Sequence, residues 1–203
     1  MQTEIPPPSG EGALGIRRTY RSLRRNGSGQ SAGFGWSFSF DRDFIIDQWS
    51  PIVSGSFADG SYFKFTRQPD GSYLSAYDKR LALQADGATW LLTTADGDIE
   101  RYAKSGEAFR LASVHSRTGL QTLYQYGEDG KLAKLTDTAG RQVTISWSGD
   151  TVSAIDGIGG GVAYEYEQAQ TQAGNRIEGM ARLTAVHFHD ANGAVSASRR
   201  YHY

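Results

Sequence analysis

"LYQYGEDGKLAKLTDTAGR", residues 123–141, carries two turn signals with alternating residues before and between them. Asp129-Gly130 and Ala139-Gly140 supply the residues that accept the positive φ of tight hairpin turns. Period two places Tyr124 and Tyr126 on one side of a strand, so the stretch predicts a β-hairpin with an aromatic face.

The same punctuation runs outward in both directions. Asp59-Gly60, Asp70-Gly71, Asp86-Gly87, Asp96-Gly97, Ser105-Gly106, Thr118-Gly119, Gly149-Asp150 and Asn192-Gly193 recur at intervals that leave one short strand between turns. The intervening "SYFKF", "TWLLT", "IERY" and "VTISW" alternate as well, which predicts an all-β antiparallel meander of successive hairpins. Composition agrees: 25 Gly, 11 Tyr, 9 Phe and 4 Trp among 203 residues favour strands and turns. The one stretch with helix-tolerant residues, "YEQAQTQAGNRIEGMARL", is interrupted by Gly174 and Gly179 and lacks an apolar stripe. It is expected to be a long insertion between two strands, with at most one helical turn.

Laid upon itself, the second half repeats. Tyr124 and Tyr126 precede Asp129-Gly130, Lys131-Leu132, Asp137 and Gly140; Ile145 and Trp147 precede Gly149, Val152 and Ile155. Tyr164 and Tyr166 precede the insertion, after which Arg182-Leu183, Asp190 and Gly193 restate the basic-Leu pair and the turn. A looser copy lies upstream at Arg101, Tyr102, Gly106, Leu111 and Gly119, and Tyr201 and Tyr203 look like the opening pair of a further unit. A single hairpin is marginal alone, so the copies are expected to stack and pack their tyrosines between strands.

These residues resemble the Rhs or YD-repeat proteins of bacteria, relatives of the teneurins, whose repeat is similar to "YxYDxxGRLxxxxDxxG". Tyr124, Tyr126, Asp129, Gly130, Leu132, Asp137 and Gly140 match it, with Lys131 for the usual Arg, as do Arg182, Leu183, Asp190 and Gly193. The segment before the repeats is similar too, in "RRTYRS" (Arg18, Tyr20, Ser22) and "GFGWSFSFDR" (Gly33, Phe34, Gly35, Trp36, Asp41, Arg42). The resemblance divides the chain into a Pro/Gly-rich tether over 1–13, an Rhs-type β segment over 14–100, and degenerate YD repeats over 101–203, the last one cut short. It implies a non-catalytic segment of a wound β-shell that encloses or chaperones a toxic cargo in interbacterial competition. It also implies synthesis in the bacterial cytoplasm, export by a specialised secretion system, and use outside the cell.

Expected partners are further YD repeats, a second copy or a partner subunit along the C-terminal edge strand, together with a toxin cargo. A complete member would add a spike-tip domain, a self-cleaving core and the toxin itself. Enclosing a cargo about 35 Å across takes roughly two dozen strands at about 4.8 Å spacing. At most about fifteen are expected here, enough for an arc or a small closed body.

Other chemistries find little in the sequence. A net charge of −1 gives no global field for nucleic acid, and the five arginines of "RRTYRSLRR" suit a strand with a solvated side. There is no cysteine for disulfide, thiolate or nucleophile, no secretory signal, and no run long enough for a membrane span. His187 and His189 share a strand face near Asp190 and His202 but lack a third ligand at diagnostic spacing, so no metal and no cofactor is expected. Asp41 and Asp43 share a face as a carboxylate pair would, and are expected to be strand-end structure. No serine sits in a Gly-x-Ser-x-Gly elbow, no Ser-His-Asp arrangement can be argued, and no enzyme is expected. "DGIGGGVAY" is expected to be a turn rather than a phosphate loop, because an aromatic strand follows it. The alternative function is a free-standing sheet that binds carbohydrate or a cell-surface partner through Trp36, Trp49, Trp90 and Trp147.

Overall fold

A computed structural model describes residues 2–5, 14–21, 31–46, 51–56, 62–106, 108–170 and 176–202. Among them the chain is all-β and antiparallel. The strands are β1 (Gln2–Ile5), β2 (Ile16–Tyr20), β3 (Trp36–Phe38), β4 (Asp43–Ile46), β5 (Ile52–Ser56), β6 (Tyr62–Arg67), β7 (Tyr73–Ser75), β8 (Ala82–Asp86) and β9 (Thr89–Thr93). They continue as β10 (Ile99–Ser105), β11 (Ala108–His115), β12 (Gln121–Tyr126), β13 (Leu132–Asp137), β14 (Gln142–Ser148), β15 (Thr151–Gly157), β16 (Gly160–Gln170), β17 (Arg176–Asp190) and β18 (Val195–Arg200).

The glycine signals do what their chemistry allows. Within the described residues the glycine of every expected turn dipeptide has a positive φ, from 55° at Gly149 to 86° at Gly97 and Gly119; Asp59-Gly60 lies outside them. Six turns share one hydrogen-bond scheme. Residue i donates its N–H to the carbonyl of i+4 and accepts from the glycine N–H of i+3, starting at Gln68, Thr94, Ser116, Gly127, Asp137 and Asp190. This is a three-residue loop with a left-handed closing residue, a conformation that glycine adopts without a Cβ clash.

β1 to β3 form a small sheet, and β4 to β18 form a fifteen-stranded one. The meander has one departure from simple succession. One edge of β11 pairs with β10, while its other edge pairs with β4 through Phe109 and Arg110 and with β12 from Ser113 onward. Strands β4 to β11 therefore make a closed circuit of ladders, although the large sheet as a whole stays open and runs on to β18. Phe44, Val53, Phe63, Phe65, Leu83, Leu92, Tyr102 and Leu111, all at most 4% exposed, form one cluster drawn from seven of these eight strands. Alternation turns their side chains to one face of the circuit, which is filled rather than hollow.

A second cluster lies on β13 to β17. Leu132, Leu135, Val143, Ile145, Val152, Ile155, Val162, Tyr164, Leu183 and Val186 present one face, and Leu14, Ile16, Ala32, Phe38 and Phe40 of the N-terminal segment cover it. Backbone bonds from Val152 to the Ser31 carbonyl and from Phe34 to the Ala181 carbonyl, both 2.7 Å, fasten the cover at two strands.

Two expectations differ from what is seen. Within the segment expected to be a tether, Gln2–Ile5 forms β1 and pairs with β2; residues 6–13 lie outside the described ones. The expected insertion continues the ladder instead of leaving it. β16 runs to Gln170 and β17 starts at Arg176, so the unit is a hairpin with long arms and no helix among its described residues. Cross-strand pairing down two long arms outweighs the local helix propensity of Glu, Gln and Ala.

Candidate functional site

The candidate site is the repeat itself, because its geometry is constant where its sequence is not. The β10–β11, β12–β13, β14–β15 and β16–β17 ladders each carry a one-residue bulge, which leaves Ala112, Ala133, Ser153 and Thr184 without a direct partner. Just before the bulge stands an aliphatic residue opposite an aromatic one: Leu111 with Tyr102, Leu132 with Tyr126, Val152 with Trp147, Leu183 with Tyr166. Bulges disrupt the ladder locally and free a carbonyl. In three successive junctions the next hairpin's aromatic tip takes that carbonyl: Tyr126 Oη donates to Leu111 at 2.9 Å, Trp147 Nε1 to Leu132 at 2.8 Å, and Tyr166 Oη to Val152 at 2.9 Å. Each unit is thereby clasped to the one before it.

The register between hairpins is equally constant. Ser113 pairs with Leu123, Lys134 with Thr144, Ala154 with Ala163 and Ala185 with Arg200. Counting from these pairs, Tyr124, Ile145, Tyr164 and Tyr201 occupy equivalent places, as the sequence repeat predicts. Tyr164 is 6% exposed, and Tyr124, Tyr126, Tyr166 and Tyr201 pack against the second cluster. Tyr124 also packs against the first, where burial pushes its phenol above the ordinary range. Tyr203 lies outside the described residues.

The acidic residues of the motif are turn caps. Asp137 Oδ1 accepts the N–H groups of Ala139 and Arg141, both at 2.9 Å, and Oδ2 accepts Arg141 Nε at 2.5 Å. Asp190 Oδ1 accepts those of Asn192 and Ala194, and Asp129 Oδ1 that of Lys131. Gly130, Gly140 and Gly193 close the same three turns. Lys131 lies 5.7 Å from the Trp147 ring and bonds the Gly149 carbonyl; Arg182 is 3.8 Å from Glu167.

The Asp137 side chain is 1% exposed. Burial alone would raise its pKa, but hydrogen bonds and charge from Arg141, with the Ala139 N–H, outweigh burial and hold the carboxyl below the usual carboxylate range. A carboxyl whose folded pKa is depressed stabilises fully above its unfolded value, about 3.9, and loses that contribution as pH falls through the folded pKa. Asp137→Asn is expected to cost about 1 to 3 kcal/mol at neutral pH and to flatten the acid limb of stability, measured by urea midpoints from pH 7 down to pH 2.

The N-terminal motif supplies the cover. Arg18 is fully buried; it donates to Tyr201 Oη at 2.7 Å and lies 4.3, 5.4 and 5.3 Å from the rings of Trp36, Tyr164 and Tyr201. Tyr20 packs on Trp36 at 5.0 Å. Gly35 has φ +76°, and a Cβ there would lie 2.8 Å from the Tyr20 ring; one at Gly33 would lie 3.0 Å from the Tyr166 ring. Phe34 holds the Ala181 carbonyl as described, and Ser22 lies outside the described residues. Arg42 crosses to the circuit, where it ion-pairs with Glu100, whose Oε2 accepts Tyr102 Oη at 2.6 Å. Burial and the Glu100 charge push the Tyr102 phenol well above its ordinary range.

The weighed alternatives are now placed. Asp41 accepts Ser31 Oγ and the Phe38 N–H, so it ties a loop. The glycines of "DGIGGGVAY" turn β15 into β16. Trp36, Trp90 and Trp147 all pack against the clusters, and Trp49 lies outside the described residues. Among the described residues no group of three His, Asp or Glu is placed to hold a metal, and no helix is long and apolar enough to cross a membrane. One arrangement escaped the sequence: Glu165, His187 and Ser198 meet on the outer face of β16, β17 and β18, with Nε2 of His187 2.9 Å from Glu165 Oε1 and Nδ1 2.8 Å from Ser198 Oγ. Only the β16–β17–β18 register brings them together, and their spacing of 22 and 11 residues matches no motif.

No protein-family model and no curated protein matches the chain.

Proposed function

We propose that the chain is a structural segment of an Rhs/YD-repeat toxin shell, made in the bacterial cytoplasm for export by a specialised secretion system, where it encloses or chaperones a toxic cargo. The constant register with the aromatic clasp carries the proposal: each hairpin prepares a carbonyl for the tip of the next, a rule of assembly that extends by addition. The structural role itself needs no chemistry. Packing of Trp36, Trp90 and Trp147 against the clusters weighs against the alternative, a free-standing module for carbohydrate or a cell-surface partner, because it engages three of the four rings that reading would use as stacking platforms.

Extension occurs at β18. Among the described residues β18 pairs only with β17, and its six residues are all exposed. Tyr201 donates its N–H to the Thr184 carbonyl, so alternation turns the N–H groups of Ser198 and Arg200 away from β17. Such an edge templates another strand. In a working assembly it is paired by further repeats, a second copy or a partner subunit. Sedimentation and amide exchange test this. Concentration-dependent association with slow exchange along 195–200, weakened by Arg200→Pro, supports the shell reading, since proline blocks an outward donor without breaking the inner ladder. A strict monomer at high concentration with fast exchange there removes its support.

A further inference from the structure

The outer face of β15 to β18 carries an arrangement with no part in stacking hairpins. We propose that Ser198, His187 and Glu165 form a nucleophilic relay that cleaves small acyl esters.

The hydrogen bonds assign the roles. The Glu165 carboxylate can only accept, so Nε2 of His187 carries the ring proton and donates it at 2.9 Å. Nδ1 is left as an acceptor, and the Ser198 hydroxyl 2.8 Å away donates to it. A hydroxyl, a base within hydrogen-bond reach and a carboxylate orienting that base are the components of an activated nucleophile. Backbone pairing holds the three in place, since Ala163 faces His187 and His187 faces Ser198 across successive ladders, with Glu165 one same-face position along β16.

Beside the relay lies an open hollow of about 410 Å³. Ala154, Gly161 and Ala163 give it a floor of small side chains, and Asp156, His189 and Asp190 border it. Gly161 is needed there, because a Cβ would stand 2.2 Å from Asp156 Oδ1. From Ala163 to Ser198 is two strand spacings, about 10 Å. An ester with one arm of that length, neutral or cationic to suit the two aspartates, spans from floor to hydroxyl.

The chemistry balances. Ser198 Oγ attacks the acyl carbon as its proton passes to Nδ1, and the ester C–O bond breaks as that proton passes to the leaving alkoxide. Water then attacks the acyl-serine, gives its proton to Nδ1, and releases the acid as Oγ recovers the proton. The N–H of Ser198, turned to the open side of the edge, is the donor for the oxyanion while that edge is unpaired, so the relay works in the chain before another strand joins β18.

The full chain is treated with an uncharged alkyl fluorophosphonate, the labelled serine is identified by peptide mass spectrometry, and p-nitrophenyl butyrate is the turnover probe. Selective labelling of Ser198 is expected, abolished in S198A, slowed about 100-fold or more in H187A and about tenfold in E165Q, with turnover falling in parallel. These positions lie on the outer face, and circular dichroism checks that each variant is folded. Labelling of Ser198 no faster than other surface serines, or unchanged in H187A, overturns the proposal. Neither result bears on the shell reading, whose test is association along the β18 edge.

Discussion

Replacing Arg18 by alanine is expected to destabilise the protein by about 3 to 5 kcal/mol, read as a fall in the urea midpoint at constant slope. Arg18 is a cation with no exposed surface, and its surroundings include the rings of Trp36 at 4.3 Å and of Tyr164 and Tyr201 slightly further, with the Tyr201 oxygen at 2.7 Å. A desolvated cation over rings gains about 2 kcal/mol or more, and truncation to Cβ also opens a cavity between the small sheet and the large one. The loss should be local in its consequences. Tyr20, Trp36 and Phe38 belong to the small sheet, whose three strands pair only with one another among the described residues, so amide exchange along 16–20 and 36–38 should quicken while the β4 to β11 circuit keeps its protection. Arg18→Met separates volume from charge. It refills the space and relieves the desolvation penalty, so it is expected to cost under about 2 kcal/mol. If alanine and methionine are equally damaging, the charge matters more than the packing; if neither matters, the N-terminal cover is not held by this residue.

The contrast between Arg18 and Arg17 shows what a linear pattern can convey. Alternation correctly separates Arg17 from Arg18, exposed against buried. What it leaves open is which side of an arginine-rich strand is buried, because the rings that pack on Arg18 come from positions 36, 164 and 201. The hairpins were legible for the opposite reason: a glycine with positive φ, an Asp capping its own turn and an aromatic two residues from another are local facts. The aromatic clasp lies between. Tyr126, Trp147 and Tyr166 are visible as a repeat, but their acceptors depend on bulges, and a bulge at alanine, serine or threonine carries no sequence mark. The closing of β11 on β4 rests on two residue pairs far apart in sequence, and the Ser198–His187–Glu165 alignment on register alone, so neither had a local signal.

Glu100→Ala is expected to cost about 3 kcal/mol, and the reason comes from the repeat. Counted from the bulge, Glu100 stands where later units place Tyr124, Ile145 and Tyr164, so an acidic side chain occupies an aromatic or aliphatic position of the packed face. It is tolerated because Arg42 and Tyr102 reach it: the Glu100 side chain is 3% exposed and Arg42's 17%, and the phenol donates at 2.6 Å. Removing one member of a buried pair leaves the other charge uncompensated, typically worth 3 to 5 kcal/mol, and the part of Arg42 that still meets water sets the expectation at the lower end, about 3. Restoring the residue type that the repeat uses should repair the damage. The double variant Glu100→Leu with Arg42→Met buries apolar volume at both positions and is expected to lie within about 1.5 kcal/mol of the parent, far from the sum of the singles. Tyr102→Phe on the parent should cost about 1 kcal/mol, and less in the double variant, where its acceptor is gone. Additive singles, or a Glu100→Ala loss below about 1 kcal/mol, would mean that the pair behaves as a screened surface bridge and that the first unit does not share the packing of those that follow it.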